Sequence, residues 1–101
     1  MTRDDLVRTD TVRVASIELA AGEESSWHRH TQVQETVFCL RGEIAIRRAP
    51  PLGTVTLEPG QRCDIAPQVP HALGNPGRVE ARYLLVQKGS YDFIAMDPPQ
   101  D

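Results

Sequence analysis

Three histidines and one glutamate are the residues of this chain whose types and spacing best suit chemistry. His28 and His30 stand two positions apart, Glu35 follows five positions later, and His71 comes much further along. The chain has no other histidine. Imidazoles and a carboxylate together suit a borderline divalent metal ion, which could be iron, nickel, manganese, cobalt, copper or zinc. Four protein ligands would leave positions open on a metal of octahedral habit, so we expect an open site that favours chemistry.

The spacing also indicates how strands would position these side chains. Residues two apart on a strand point to the same face, about 6–7 Å apart, so His28 and His30 can reach one ion together. Glu35 has the wrong parity for the same face of one continuous strand. We therefore expect the chain to bend at residues 31–34 and to bring Glu35 in on the next strand. His71 must come from a distant strand, and closing a barrel is the simplest way to deliver it.

Apolar residues elsewhere alternate at period two, and no long segment has the period of an amphipathic helix. Val12 and Val14 have the opposite parity to Ile17 and Leu19, which predicts a bulge near residues 15–16. Turns rich in glycine and proline separate the candidate strands. The predicted strands are residues 11–20, 35–40, 43–48, 54–57, 61–66, 71–73, 82–87 and 92–95. Many short strands with this punctuation predict an antiparallel sandwich or barrel.

The residues around the first two histidines resemble the first sequence motif of the cupin family. They match every fixed position of that pattern, namely Gly22, His28, His30, Glu35 and Gly42. The resemblance implies an all-β, single-domain, antiparallel jelly-roll β-barrel of about six to eight strands. It also implies that His28, His30, Glu35 and His71 are the ligands of one divalent metal ion.

The second motif of the family is matched less completely. Gly60, His71 and Asn75 fit the pattern, but Ala66 and Gln68 stand where the family has its proline and its glycine. The metal ligand is therefore retained, while other residues must set the shape of the turn that precedes it.

Length and composition describe one domain, residues 1–101. Hydrophobic residues make up 40% of the chain and charged residues 25%, which suits a single modest core. Residues 1–10 are expected to form an N-terminal arm and residues 97–101 a frayed tail.

The net charge is −3 and the arginines are scattered, which argues against nucleic acid as a partner. No apolar run could span or anchor in a membrane and residues 1–10 do not resemble a signal peptide, so we expect a cytoplasmic protein.

Parity along the strand that carries Glu35 separates an inner from an outer face. Val37 and Cys39 share the inner face, where Cys39 is expected to pack as a small hydrophobic residue. Phe38 and Leu40 share the outer face, and apolar residues there indicate a covered surface. The cover is either a second copy of the chain in a homodimer, as small cupins commonly form, or a bulge or the N-terminal segment.

Two further residues are candidates for a catalytic role. Asp64 belongs either to a solvated charged face or, if it points inward, to the site as a general base. Tyr83 alternates with Arg82 on a late strand, and whichever faces inward could contact a substrate carboxylate or carbonyl. Asn75 is expected to make a turn or backbone hydrogen bond just after the ligand strand.

These features favour a small metal-dependent enzyme that acts on a small organic molecule. The metal would polarise a carbonyl or hydroxyl oxygen, or bind dioxygen if it is iron. Dioxygenase chemistry and Lewis-acid chemistry of the isomerase, cyclase or lyase type both stay open. The alternative is a non-catalytic module that binds or senses a small ligand, because no second domain and no acid–base pair beyond the ligands is evident.

Overall fold

The chain forms a jelly roll of two facing antiparallel sheets. The computed structural model describes residues 1–99, which contain no helix. The strands are β1 (Thr2–Arg8), β2 (Val12–Leu19), β3 (His28–Arg29), β4 (Gln34–Arg41), β5 (Ile44–Arg48), β6 (Gly53–Leu57), β7 (Arg62–Ile65), β8 (His71–Gly74), β9 (Ala81–Lys88) and β10 (Ile94–Ala95).

These strands divide into two sheets of five strands each. The first sheet has the order β1-β2-β9-β4-β7, and the second has the order β10-β3-β8-β5-β6. Neighbouring strands are antiparallel throughout. Within residues 1–99 no ladder joins one sheet to the other, so the sheets face each other without closing into a continuous hydrogen-bonded barrel. The predicted all-β, antiparallel jelly-roll class is confirmed.

Alternation along the strands fills the space between the sheets with apolar side chains. On β2 the buried residues are Ala15, Ile17 and Leu19, and on β5 they are Ile44 and Ile46. Each of the five is at most 2% exposed. Full burial of one isoleucine or leucine side chain contributes about 1.5–3 kcal/mol, so this apolar layer helps to hold the two sheets together.

The N-terminal residues form a strand that the sequence analysis did not predict. β1 lies within the segment expected as an arm, and it pairs with β2 at the edge of the first sheet. All seven of its residues are exposed, so no burial imposes alternation on its sequence. Backbone hydrogen bonds to β2 therefore position β1, and they place it at the edge of the interior between the sheets.

The bulge predicted near residues 15–16 is wrong. β2 pairs with β9 in one unbroken register along its whole length. Val12 and Val14 are half-buried on the outer face, so the change of parity reflects apolar residues on both faces of a regular strand. The irregularity on this side of the sheet lies in β1, between Asp5 and Val7.

The outer face of β4 carries the two apolar residues that parity placed there. Val37 and Cys39 are buried, Phe38 is half-buried and Leu40 is 47% exposed. β1 lies in the same sheet as β4, at its edge and separated from β4 by β2 and β9, so β1 does not pack across this face. The pairing of β4 with β9 has a register shift between Cys39 and Arg41, at the position of Leu40. The homodimer expected from this face stays a prediction.

The C-terminal residues 97–99 have no regular secondary structure and are exposed. Residues 100 and 101 of the expected frayed tail lie outside the described residues. The described part of the chain has no helix that could span a lipid bilayer.

Candidate metal centre

Four buried side chains converge between the two sheets. His28 lies on β3, His30 directly follows that strand, and His71 begins β8 in the same sheet. Glu35 reaches across from β4 in the facing sheet. One ligand atom from each of the four lies within 4.8 Å of the others, and each residue is at most 6% exposed.

The local fold explains how Glu35 meets His28 and His30, although it has the wrong parity to share a face of one strand with them. β3 pairs with β8 so that His28 stands directly opposite His71. The chain then bends at residues 31–32 and enters β4 in the first sheet at residue 34. The bend predicted between His30 and Glu35 is confirmed, and it carries the chain from one sheet to the other.

Backbone carbonyl groups fix the orientation of all three imidazoles. Nδ1 of His28 lies 2.8 Å from the Ser26 carbonyl oxygen, and Nδ1 of His71 lies 2.8 Å from that of Val69. Nδ1 of His30 lies 2.5 Å from the carbonyl oxygen of Asp92. A carbonyl oxygen can only accept, so each Nδ1 carries a proton, and in the neutral form of each ring Nε2 then presents a lone pair. This is the arrangement in which histidine binds a metal ion.

Glu35 brings its oxygens close to two of those lone pairs. Nε2 of His30 lies 2.9 Å from Oε1 of Glu35, and Nε2 of His71 lies 2.9 Å from Oε2. Within residues 1–99, both Nε2 atoms and Oε2 are buried without a hydrogen-bond partner. Acceptors that face each other at this distance require a cation among them, either a proton or a metal ion. The residues therefore fit a divalent metal.

Burial and hydrogen bonding shift the pKa values of Glu35, His28 and His30. Burial alone would raise the pKa of the Glu35 carboxyl. When the rings of His30 and His71 are protonated, however, they donate to this carboxylate, and these hydrogen bonds outweigh burial and hold its pKa well below the usual range. Burial lowers the pKa of His28. For His30, burial acts downward, but the hydrogen bonds to Glu35 and to the Asp92 carbonyl prevail and raise its pKa.

A glutamine that the sequence analysis missed orients the carboxylate. Gln87 stands opposite Glu35 in the pairing of β9 with β4, and its Nε2 donates to Oε1 of Glu35 at 2.6 Å. Gln87 is 4% exposed. On β9, Gln87 lies on the same buried face as Tyr83 and Leu85. A polar amide at a position where the alternation predicts an apolar residue is the signal that could have revealed it.

The C-terminal segment, residues 90–95, covers the histidines. The Asp92 carboxylate accepts hydrogen bonds from the backbone N–H of Thr31 at 2.8 Å and from its hydroxyl at 2.6 Å. Phe93 stacks on His28 with 4.6 Å between ring centroids and 17° between planes. Tyr91 lies 5.5 Å from His30 between ring centroids. Sequence reasoning missed these contacts because they join residues about sixty positions apart.

The turn before His71 keeps a backbone shape that its sequence does not favour. Gln68 stands where the cupin motif has glycine, and it adopts a φ of 73°. Its N–H donates to the His30 carbonyl oxygen at 2.7 Å, and its side-chain oxygen accepts a hydrogen bond from Arg29. Contacts to the strand that carries the first histidines thus hold this residue in the left-handed region, at a cost of about 1–2 kcal/mol.

Asn75 closes the turn that follows β8, as expected. Its Nδ2 donates to the carbonyl oxygens of Leu19 at 3.2 Å and of Val79 at 2.7 Å. Its Oδ1 accepts a hydrogen bond from the N–H of Gly77 at 2.9 Å. These bonds join β8 to β2 of the facing sheet, and the predicted backbone hydrogen bond is confirmed.

Of the two catalytic candidates, one lies beside the cluster and the other does not. Tyr83 is 2% exposed and lines a pocket of about 110 Å³ next to the histidines. Burial, aided by the charge of Glu35, raises the pKa of Tyr83, so its hydroxyl stays protonated. Asp64 is exposed on the outer face of β7, where it accepts a hydrogen bond from Thr36 at 2.7 Å. The inward orientation considered for Asp64 is therefore wrong.

Comparison with known proteins identifies the family. The family model described as the cupin domain matches residues 15–87, and the chain belongs to that family. A search of curated proteins finds no match.

Solved structures share the fold at low sequence identity. An uncharacterized conserved protein with a double-stranded beta-helix domain from Klebsiella pneumoniae aligns with a TM-score of 0.82 at 20% identity, over 95% of this chain and 84% of that chain. A cupin-superfamily sugar phosphate isomerase from Silicibacter pomeroyi aligns with a TM-score of 0.69 at 21% identity, over 77% and 50%. An oxalate oxidase in complex with glycolate aligns with a TM-score of 0.75 at 17% identity, over 84% and 46%. The last two chains are about twice as long as the part that aligns, and the likeness to all three shows the fold alone.

Proposed function

We propose that this protein is a small metal-dependent enzyme that acts on a small organic molecule. The observation that carries the proposal is the set of four convergent buried ligand atoms beside a pocket of about 110 Å³. His28, His30, Glu35 and His71 would hold one divalent ion, of which iron, nickel, manganese, zinc, cobalt and copper are candidates. When bound, the metal supplies Lewis-acid polarisation of a substrate oxygen or, if it is iron, oxidative chemistry.

Residues outside the ligand set have roles that follow from their positions. Tyr83 presents a protonated hydroxyl to the pocket and can donate a hydrogen bond to an oxygen of the bound molecule. Gln87 fixes the Glu35 carboxylate through its 2.6 Å hydrogen bond. Ile17 and Leu85 form apolar walls that exclude water and so strengthen electrostatic interactions inside the pocket.

The type of reaction stays open between two branches. One structural neighbour is an oxalate oxidase and another is a sugar phosphate isomerase, so this fold accommodates oxidation as well as redox-neutral chemistry on small oxygen-rich molecules. Those likenesses support the general substrate class of the proposal. The identity of the metal is the property that separates the branches.

The test begins with metal content. Untagged protein is purified without oxygen and without added metal, and its elements are measured per chain. Near-stoichiometric iron directs the next assay to oxygen uptake with small hydroxylated, carboxylic and thiol substrates. Zinc, nickel or manganese directs it to isomerisation, cyclisation and elimination, followed by NMR of the same molecules. Metal-loaded protein that turns over none of them would contradict the assignment as an enzyme.

Tyr83→Phe is the matched variant for this test, because it keeps the ring and removes only the hydroxyl. We expect metal content to stay at the wild-type level while kcat falls about 10–100-fold, in line with the loss of one positioned donor. An unchanged kcat would show that the hydroxyl takes no part in the reaction.

One observation favours a second candidate, a non-catalytic module that binds or senses a small ligand. Within the described residues, the pocket is lined by no carboxylate or imidazole other than the ligands themselves. A dedicated general base is therefore lacking beside the bound molecule. Recovery of a tightly held metabolite that is never converted would favour this candidate, and measured turnover would eliminate it.

A further inference from the structure

Among the described residues, one cationic side chain that is not part of the metal centre borders the adjacent pocket, that of Arg3. This residue lies on β1 directly opposite Ile17 of β2, and both line the pocket. Side chains that stand opposite each other in an antiparallel pair share a face of the sheet. Ile17 is 2% exposed and faces the interior, so Arg3 lies on the interior side of the edge strand.

The protein engages the Arg3 guanidinium only in part. Its Nε donates to Oδ1 of Asp5 at 2.8 Å, and the Arg3 side chain remains 40% exposed. Within residues 1–99 this is the one hydrogen bond of the Arg3 side chain. A guanidinium has five N–H donors in a fixed planar fork, so most of its donors remain available to a ligand.

The rest of the pocket complements a negatively charged molecule. A divalent ion held by one carboxylate and neutral imidazoles keeps a net positive charge at the inner end. The Tyr83 hydroxyl adds a donor, and Ile17 and Leu85 add apolar walls. Glu35 is the one carboxylate among the lining residues of the described chain, and the metal would neutralise it.

We propose that the pocket selects small carboxylic acids in their anionic form, with the carboxylate bound by Arg3 and the rest of the molecule facing the metal centre. This inference rests on the proposed metal-dependent function and names its substrate class. Guanidinium and carboxylate match in planar bidentate pairs, which are stronger than neutral hydrogen bonds. A pocket volume of about 110 Å³ suits a small acid.

Asp5 is an internal competitor for the same guanidinium. A bound carboxylate must replace its hydrogen bond to Arg3 or share the remaining donors with it. Removing the charge of Asp5 should therefore strengthen binding of an anion, whereas removing the charge of Arg3 should weaken it. The two substitutions have opposite expected signs at neighbouring exposed positions, where neither is expected to disturb the fold.

The experiment measures binding and needs no turnover. Zinc-loaded protein is titrated, with NMR chemical shifts as the readout, using glycolate against glycolamide and propionate against propionamide. We expect each carboxylate to bind at least about tenfold more tightly than its amide, and Arg3→Gln to reduce that preference about tenfold. Arg3→Lys should keep part of it, and Asp5→Asn should raise carboxylate affinity about threefold.

Arg8→Gln is the matched control, because Arg8 lies on the same strand, carries the same charge and does not line this pocket. It should leave the preference unchanged. A preference that survives in Arg3→Gln at wild-type strength would overturn the inference, as would equal binding of carboxylate and amide by the wild type. Elemental analysis of the same samples separates these results from the failure of the proposed function, which would appear as protein that takes up no zinc.

Discussion

The interior of this jelly roll has an apolar end and a polar end, and both are equally buried. Ile44 and Ile46 at the apolar end are 0% exposed, and Glu35 and His71 at the polar end are 2% and 1% exposed. At the apolar end burial stabilises the fold by about 25 cal/mol per Å² removed from water. At the polar end a buried atom without a partner costs about 1–3 kcal/mol. Equal burial therefore has opposite effects on stability at the two ends.

At the polar end, the arrangement of the ligand atoms lowers the stability of the metal-free protein. Gln87 and three backbone carbonyl groups orient the ligands. In the part of the chain that the structure describes, Nε2 of His30, Nε2 of His71 and Oε2 of Glu35 are nevertheless left without hydrogen-bond partners. A bound cation would satisfy all three atoms at once. Metal binding should then stabilise the folded state by mass action, and that gain should come from the polar end alone.

The largest expected effect comes from removing a ligand at the polar end. His30→Ala leaves three donors and a cavity, so metal affinity should fall by more than about 100-fold, beyond the loss typical for a residue that only supports a ligand. Stoichiometric metal should be absent after desalting, as measured by elemental analysis and competition titration. Asp64→Ala, on the outer face, serves as the control. Equal metal content in His30→Ala would show that the ligand assignment is wrong.

A substitution at the apolar end should separate stability from metal binding. Ile46→Ala should lower the free energy of unfolding by about 3 kcal/mol, because it removes buried methyl groups and leaves a cavity. Urea denaturation of metal-free protein measures this loss. Metal content per chain should remain at the wild-type level. A variant that loses its metal while staying folded would show that the two ends are energetically coupled.

The pH dependence of metal binding should reveal the protons held at the polar end. The raised pKa of His30 stabilises the metal-free fold below about pH 6.5, and that contribution is lost as the pH rises through the folded pKa. Metal binding requires the deprotonated imidazole, so its contribution has the opposite sign. Metal affinity should rise about tenfold per pH unit for each proton displaced, and the Tm difference between loaded and metal-free protein should widen from about pH 5 to 8. A constant difference would contradict ligation by histidine.

The smallest expected effect concerns the turn that leads into the polar end. Gln68→Gly should stabilise the fold by about 1 kcal/mol, because glycine adopts the observed φ of 73° without strain. Loss of the hydrogen bond from Arg29 will offset part of that gain. Gln34→Gly is the matched control, since the same change within an exposed part of β4 should destabilise by about 0.5–1 kcal/mol. Thermal unfolding of both variants measures the contrast.

The sequence predicted the cluster of four side chains because residue type and spacing carry the information locally. His28 and His30 lie within one short stretch, and the parity of Glu35 required the bend that the structure contains. Alternation also predicted most of the strands that have a buried face, but it missed the two-residue strand β3, which is too short to show a period. Strand geometry and the resemblance to the first cupin motif agree, so the fold class and the convergence of these residues did not depend on any one observation.

The remaining features depend on contacts that sequence pattern does not encode. β1 has no buried residue and hence no alternation, although it supplies Arg3 to the pocket. Phe93 stacks on His28, which is far away in sequence. Asp64 and Tyr83 could each face either way by parity, and only the observed register placed one outside and the other inside. Val12 and Val14 led to the wrong prediction of a bulge, because β2 carries apolar residues on both of its faces.

The hydrogen bond from His30 to the Asp92 carbonyl has a consequence for the order of events during synthesis. The ribosome delivers Glu35 first, His71 later and Asp92 after both. At about 5–20 residues per second, several seconds separate the first ligands from the group that fixes the orientation of His30. A nascent chain thus offers a loose, incomplete set of donors. The fully oriented donor set therefore exists only once residues 90–95 have joined the fold.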